Sequence, residues 1–301
     1  MGSFFLQNLR MTQRTVTVVI PCFNHGRMVR TAVDSALAQR GADVRVVVVE
    51  DGSTDGETFS ACDACAGERV RVIHQENRGL PAARNRGAAG AESEFLVFLD
   101  ADDWIEPDFV EKLSAALERA GDDVSHAYCQ ERLVEKGTGV WKVPDWDPVL
   151  MLLTNLHPVT TLVRRERFEA VGGFDETMRE GYEDWDLWLR FVERGWRGVR
   201  VTEPLFVWRR HSDSTMVMNV IRNHETLYAA IRARHPELYR QHAEELIVRS
   251  NALMTKCEMN WLDEAGEPIT LRAMKGQRRM YESILVVRVQ RRLERLMGRR
   301  R

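Results

Sequence analysis

The sequence predicts an α/β protein: a Rossmann-like mixed sheet, largely parallel at its start, followed by an α+β stretch and a C-terminal α-helical appendage. Three observations lead there. Apolar, β-branched runs of strand length recur at Thr15–Ile20, Val44–Val49, Val70–Ile73 and Phe95–Leu99. Near-continuous runs of this kind mark strands buried on both faces, as in a parallel sheet covered by helices. Helical spacing fills the gaps between them, and after Asn219 it replaces the strand signals altogether.

The elements follow in order. Met28, Val29, Ala32, Val33, Ala36 and Leu37 repeat at helical spacing between the first two strands, and the Ala- and Arg-rich segment Leu80–Ala91 forms another helix before the fourth. Pro107 opens a periodic stretch after that strand. From Asp122 to Trp141 the pattern loosens into strand-like pieces around a turn at Gly137 and Gly139, and Pro144, Pro148 and Pro158 punctuate a loop-rich region. Val159–Val163 reads as a strand, Arg165–Val171 as a short helix stopped by Gly172-Gly173, and Trp185–Val192 as a helix stopped by Gly195. Val199–Val201 and Leu205–Trp208 are two late strands, and Leu227, Ile231, Leu246, Ile247, Leu253 and Met254 mark the helical end. The expected division is an N-terminal extension (1–14), a main domain (15–215, with halves 15–104 and 105–215) and a helical region with a basic tail (216–301).

Composition narrows the class. Of 301 residues, 44% are hydrophobic and 29% charged, which excludes a wholly disordered or fibrous chain. The net charge of −2 hides an asymmetry: residues 272–301 hold eleven Lys/Arg against two Glu, a charge of +9, so residues 1–271 carry −11. No apolar run approaches the roughly 20 residues needed to span a bilayer. The N-terminal residues lack the features of a signal peptide, and Leu6 stands where a myristoylation motif needs Ser or Thr. Five scattered cysteines without a second CxxC do not make a zinc site, and reduced thiols in a cytoplasmic protein are the simplest account; Cys62 and Cys65 lie in an acidic, helical stretch and read as structural.

In open α/β sheets, ligands bind outside the carboxyl ends of the strands. The first strand runs into Pro21-Cys22-Phe23-Asn24, the second into Glu50-Asp51-Gly52-Ser53-Thr54-Asp55, and the fourth into Asp100-Ala101-Asp102-Asp103. Carboxylates gathered at one sheet edge repel unless a cation or a donor-rich ligand sits among them. Mg2+ or Mn2+ with a polyphosphate suits such a place, because hard ions take a few carboxylate oxygens together with substrate phosphate. Taken singly, each acidic loop is also a sound turn or helix cap; the series behind successive buried strands is what points to a site.

With these residues in view, the chain resembles inverting, nucleotide-sugar-dependent glycosyltransferases of family 2, which have the GT-A fold. The resemblance rests on Val18–Asn24, Glu50–Asp55, Asn77–Gly87, Phe98–Asp103, Gly172–Glu176 and Glu183–Arg190, in family order across about residues 15–212, and does not extend to the C-terminal ninety residues. It implies that Pro21, Phe23 and Asn24 line the nucleotide cleft and that Glu50 or Asp51 hydrogen-bonds the base. Many relatives have Asp in place of Glu50, so the base stays open, uridine being the usual one. It further implies that Arg84 contacts the base or diphosphate, that Asp100 faces the ribose with Ala101 beside it, and that Asp102 binds Mn2+ or Mg2+ bridging the phosphates. Asp184 matches the catalytic base of the family. An inverting transfer is one in-line displacement at the anomeric carbon and needs one carboxylate to take the acceptor's proton. Glu183 and Asp184 equally suit the start of a helix.

His211 matches a position near the diphosphate or metal, with a structural histidine as the even alternative, and Arg209 or Arg210 would neutralise phosphate on a closing loop. Glu183, Trp185 and Tyr182 are candidates for the acceptor side, although Trp185 and Trp188, three apart, equally suit burial. The expected partners are a nucleotide-sugar donor and a glycan, lipid-linked or other hydroxyl acceptor, with a homo-oligomer open. The competing readings are a nucleotidyltransferase, for which no Gly-rich signature loop follows Ile20, and a non-catalytic membrane or nucleic-acid scaffold resting on the tail alone; nucleic acid is not expected. No Walker loop or GxGxxG occurs. The tail, with Ile284, Leu285, Val287, Val289, Leu293 and Leu296 among its arginines, resembles a basic amphipathic helix suited to an anionic membrane on the inner face, or to packing on the body or a second subunit.

Overall fold

The computed structural model describes residues 14–135, 138–210 and 215–259. The N-terminal half alternates strand and helix: β1 (Arg14–Cys22), α1 (Gly26–Leu37), β2 (Ala42–Asp51), α2 (Thr58–Asp63), β3 (Val70–Gln75), α3 (Leu80–Ala88) and β4 (Phe95–Phe98). Then come β5 (Trp104–Ile105), α4 (Phe109–Ala120), β6 (Val124–Glu135), β7 (Gly139–Trp141), α5 (Pro148–Met151), β8 (Leu162–Arg164), α6 (Arg165–Ala170), α7 (Glu183–Glu193) and β9 (Arg197–Arg210). Three helices close the described chain: α8 (Thr215–Arg234), α9 (Pro236–Gln241) and α10 (Ala243–Met259).

Among the described residues the strands form one sheet in the order β3-β2-β1-β4-β8-β6-β9-β5, with β7 paired to β6. β1 pairs in parallel with β2 on one side and β4 on the other. Alternate residues of β1 face opposite cores. Val16, Val18 and Ile20 pack with α1 and α4, whereas Val19 joins Phe98, Phe168 and the apolar face of α7. Both faces are therefore buried, and the valine runs could be read as strands because nothing along them had to be polar. α3 sits close on β1 and β2: a Cβ on Gly87 would fall 2.3 Å from Val19 Cγ1 and 3.1 Å from Val49 Cγ2. Only glycine allows that approach.

The chain winds outward from β1 through β2 to β3 and then returns to the other side of β1 for β4, so a switch point lies between β1 and β4. The register aligns Cys22 with Glu50 and Val19 with Phe98. The loops after β1, β2 and β4 thus emerge together at this crevice, the expected ligand position.

Two expected elements differ. The strand expected at Val159–Val163 is Leu162–Arg164, pairing antiparallel with β4 and β6; Pro158 and the bond that Thr161 Oγ1 donates to Val159 O keep the preceding residues out of the strand. The two late strands are one, β9, interrupted by register shifts opposite Cys129 and Gln130. Pro204 offers no N–H to the ladder, so the strand bulges there and resumes. No helix among the described residues is long and apolar enough to cross a membrane.

Candidate functional site

The loops at the switch point brace one another. Asn24 adopts a left-handed conformation, φ 58°; its backbone N–H donates to Ser53 Oγ (3.1 Å), and its Oδ1 accepts from Thr54 N (2.8 Å) and Asp55 N (3.3 Å). Asn24 is among the residues that tolerate this conformation best. It holds the β1 loop to the β2 loop, with Pro21 buried beneath and Phe23, 40% exposed, at the lip.

Glu50 and Asp51 are both buried, and their contacts distinguish them. Asp51 accepts from Gln75 Nε2 (2.7 Å), Arg78 N (2.9 Å) and Gly79 N (2.9 Å), so it fixes the turn leading into α3. Gly52 (φ 67°) lets the next turn pass that segment; a Cβ there would lie 2.6 Å from Asn77 N. Glu50 accepts from Ser53 N (2.6 Å) and faces His74 Nδ1 (3.3 Å), whose Nε2 faces Asp63 Oδ1 (2.8 Å). Burial pushes the Glu50 carboxyl up, but the Ser53 and His74 contacts together hold it below its ordinary range. Burial opposes protonation of His74, and the Asp63 and Glu50 contacts override it and raise its pKa.

Arg84 joins the loop after β4 to the start of α7. Only 2% of its surface is exposed; Nη2 donates to Asp100 Oδ1 (2.8 Å) and Nη1 to Glu183 Oε1 (2.5 Å). Burial would discharge the guanidinium, and Asp100 and Glu183 reverse that and raise its pKa. Next along α7, the half-buried Asp184 accepts its neighbour's Trp185 N–H at Oδ1 (2.7 Å) and Asn155 Nδ2 at Oδ2 (2.9 Å). Burial and the charge of Glu183 raise its pKa to about 7, against the opposing pull of Arg84 and the two N–H donors. Such a carboxyl exchanges a proton near neutrality, as a general base does. Tyr182 precedes the pair with φ 66° at the helix N-cap, and its hydroxyl meets His224 Nδ1 at 2.5 Å. Trp185 is 1% exposed, its Nε1 bonded to Met151 O (2.6 Å) and its ring against Tyr182 and Tyr228. Of the two readings for Trp185 and Trp188, burial favours core packing for both.

In the β4 loop Ala101 is buried, while Asp100 and Asp102 are partly exposed. Asp103 is buried and accepts the backbone N–H of Arg209 (2.8 Å), fastening this loop to the end of β9. Burial, reinforced by Asp102 and Asp100, pushes its carboxyl well above the usual range; burial alone raises Glu131, behind it on β6, to about 8. Among the described residues no group of three or more His, Cys, Asp or Glu side chains is arranged to hold a metal by itself. The donors that are present are hard carboxylate oxygens, which fit an ion completed by phosphate oxygens.

The structure therefore brings Pro21, Phe23, Asn24, Glu50, Asp51, Arg84, Asp100, Ala101 and Asp102 to the crevice, with Glu183 and Asp184 joined to it through Arg84. His211 and the basic tail lie outside the described residues. Sequence reasoning missed Asn155 and His74, whose partners lie 29 and 24 residues away without any local pattern. Asp103, written in the acidic motif itself, was legible.

Fold and crevice define an open α/β protein with an acidic loop at its switch point. The pattern of Glycosyl transferase family 2 matches residues 17–179, more than half of the sequence, and the chain belongs to that family. Glycosyltransferase GlyG of Streptococcus pneumoniae is 28% identical over 229 residues, 67% of this chain and 72% of that protein. Glycosyltransferase GlyA of the same organism is 41% identical over 103 residues, 33% of this chain and 14% of that one. Against several curated relatives the chain spans only 14% to 37% of their length. In three dimensions it resembles S. aureus TarS 1-349 in complex with UDP-GlcNAc (TM-score 0.56, 17% identity, 76% of this chain and 72% of that one). It also resembles the mannosyltransferase PcManGT of Pyrobaculum calidifontis in complex with GDP-Man and Mn2+ (TM-score 0.54, 18% identity, 81% of each chain). These likenesses establish a GT-A type fold. The family match ends before α7, so Asp184 stands on its geometry.

Proposed function

We propose that the chain is an inverting glycosyltransferase that moves a sugar from a nucleoside diphosphate sugar to an acceptor hydroxyl, with residues 15–215 as its catalytic region. The observation that carries this reading is the bridge Asp100–Arg84–Glu183, which ties the acidic loop at the donor crevice to a carboxyl, Asp184, tuned to about 7. Asp184 takes the proton of the acceptor hydroxyl as its oxygen bonds to the anomeric carbon. The bond from that carbon to the diphosphate breaks on the opposite face, and configuration inverts. No second carboxylate is required as a nucleophile.

Phe23 at the lip packs against the base, and Glu50, ionised and facing His74, accepts from the base edge; Asp51 is occupied in shaping the turn before α3. A uracil base suits a carboxylate acceptor, and the UDP-GlcNAc and GDP-Man complexes of the structural neighbours support a nucleotide-sugar donor. Asp102 would hold Mn2+ or Mg2+ together with diphosphate oxygens, with His211 as a further ligand; when bound, the ion offsets charge on the departing diphosphate. Tyr182 and Glu183 border the acceptor.

The test is a panel of UDP- and GDP-sugars assayed for donor hydrolysis and for transfer to glycan and lipid-linked acceptors, in wild type and Asp184→Asn. Loss of transfer with donor binding retained in the variant is the expected result. Wild-type turnover by Asp184→Asn would remove it as the base.

A further inference from the structure

Asn155 lies between α5 and β8, in a segment braced from three sides. Trp185 Nε1 of α7 donates to Met151 O (2.6 Å). The hydroxyls of Tyr228 in α8 and Tyr239 in α9 both donate to Leu152 O, at 3.0 and 2.7 Å. The amide at the end of this bracing meets Asp184: Nδ2 donates to Oδ2 (2.9 Å), while Asp184 Oδ1 is taken by the Trp185 N–H (2.7 Å). Asn155 Oδ1 is itself buried and has no hydrogen-bond partner among the described residues. Buried polar atoms are rarely left so, and an orphan beside a reactive group calls for a reason.

An amide carries a donor and an acceptor on one planar group. Toward a carboxylate it must present N–H; toward a carboxylic acid, which has an O–H to donate, it can present its carbonyl. Because Oδ1 has no hydrogen-bond partner among the described residues, turning the amide over breaks only the bond that protonation of Asp184 makes unfavourable. The side chain is placed to serve both states of its neighbour.

We propose that Asn155 is a positioning residue for proton transfer at Asp184, donating to the carboxylate before the acceptor hydroxyl reacts and accepting from the Asp184 O–H afterwards. The inference rests on Asp184 as the base. In the step itself the acceptor O–H bond breaks and an O–H bond forms on Asp184 Oδ2; Asn155 exchanges no proton. The charged groups facing Asp184 are Glu183 on its own helix and Arg84 from α3, with Asp100 acting through Arg84. Asn155 is the neutral group among them that can follow the change of charge.

The experiment is a 13C NMR titration of the Asp184 carboxyl, alongside the pH dependence of kcat, in wild type, Asn155→Ala, Asn155→Asp and Asn155→Gln. Because the bond to the ionised carboxylate is the stronger of the two, removing Asn155 in Asn155→Ala is expected to raise the Asp184 titration, and with it the acidic limb of kcat, by about one pH unit, a factor of ten in proton affinity. The donor KM should stay unchanged. Asn155→Asp, nearly identical in shape, should move both further in the same direction, and Asn155→Gln, which keeps both amide functions, should leave both nearer their wild-type values. If Asp184 titrates in Asn155→Ala and Asn155→Asp as it does in wild type, the inference is overturned whatever happens to kcat. Should Asn155→Ala fold poorly by thermal melting, Asn155→Asp decides alone. Wild-type transfer by Asp184→Asn would instead overturn the base assignment, and the titration identifies which of the two has failed.

Discussion

Replacing Arg84 by Gln should destabilise the fold and expose how unequal its two ion pairs are. The Glu183 side chain is only 8% exposed and the Asp100 side chain 37%, against 2% for Arg84. Removing one member of a buried pair leaves an uncompensated charge and costs about 3–5 kcal/mol; the more exposed Asp100 arm is screened and adds less than about 1 kcal/mol. The Glu183 arm therefore dominates. For a chain of this size each kcal/mol lowers Tm by roughly 2–4 °C, so Arg84→Gln should melt roughly 6–20 °C below wild type in differential scanning fluorimetry at pH 7.5. Because Arg84 also pulls the Asp184 pKa down, the acidic limb of activity should move up. The double variant Arg84→Gln/Glu183→Gln, which removes both buried charges, should recover most of the lost stability, since deleting both partners of a buried pair is far milder than deleting one. A single variant within about 1 kcal/mol of wild type, or a double variant no better than the single, would refute the reasoning.

Two further predictions concern packing. Gly87→Ala should lose about 1–3 kcal/mol in urea denaturation, because its Cβ would fall 2.3 Å from Val19 Cγ1 and force α3 off the sheet. His126 and His157, in contact through their Nε2 atoms (3.1 Å) and fully enclosed, are held neutral: burial and His157 push the first well below its ordinary value, and burial brings the second to about 3. Their folded pKa values lie below the unfolded value of about 6.5, so their stabilisation is complete above that pH and is lost as pH falls. Each contributes a slope of up to about 1.4 kcal/mol per pH unit between about 6.5 and its folded pKa, and His157→Asn should show a shallower decline of stability over that window.

What the sequence disclosed follows from the distance over which each feature is written. β1 and β2 are declared by unbroken valine runs because both of their faces are buried. The acidic loops are declared because each follows its strand directly. Pairings across the chain carry no such mark: Arg84 meets Glu183 from 99 residues away, and Tyr228 meets Leu152 from 76. The strand read at Val159–Val163 starts three residues early for a related reason. Its first three residues precede the strand, with Thr161 Oγ1 bonded to Val159 O, and periodicity alone does not separate a short buried strand from the segment leading into it.

The helical end of the chain illustrates the same limit and changes how the cleft is understood. Its sequence shows only helical spacing, which would suit an independent appendage, yet α8 and α9 contact the elements that carry Asp184. His224 meets the hydroxyl of Tyr182 at the strained start of α7, Tyr228 stacks on Trp185, and Tyr228 and Tyr239 share the Leu152 carbonyl three residues before Asn155. A residue other than glycine at positive φ costs about 1–3 kcal/mol and persists only where its surroundings impose it; here α8 supplies part of that surrounding. The crevice at the switch point is built by the parallel half of the sheet, whereas the surroundings of Asp184 are drawn from α3, from the 152–161 segment and from the C-terminal helices. In the proposed reaction the proton acceptor and the nucleotide-binding loops sit on separate elements, and Arg84 links the two sides by bonding both Asp100 and Glu183.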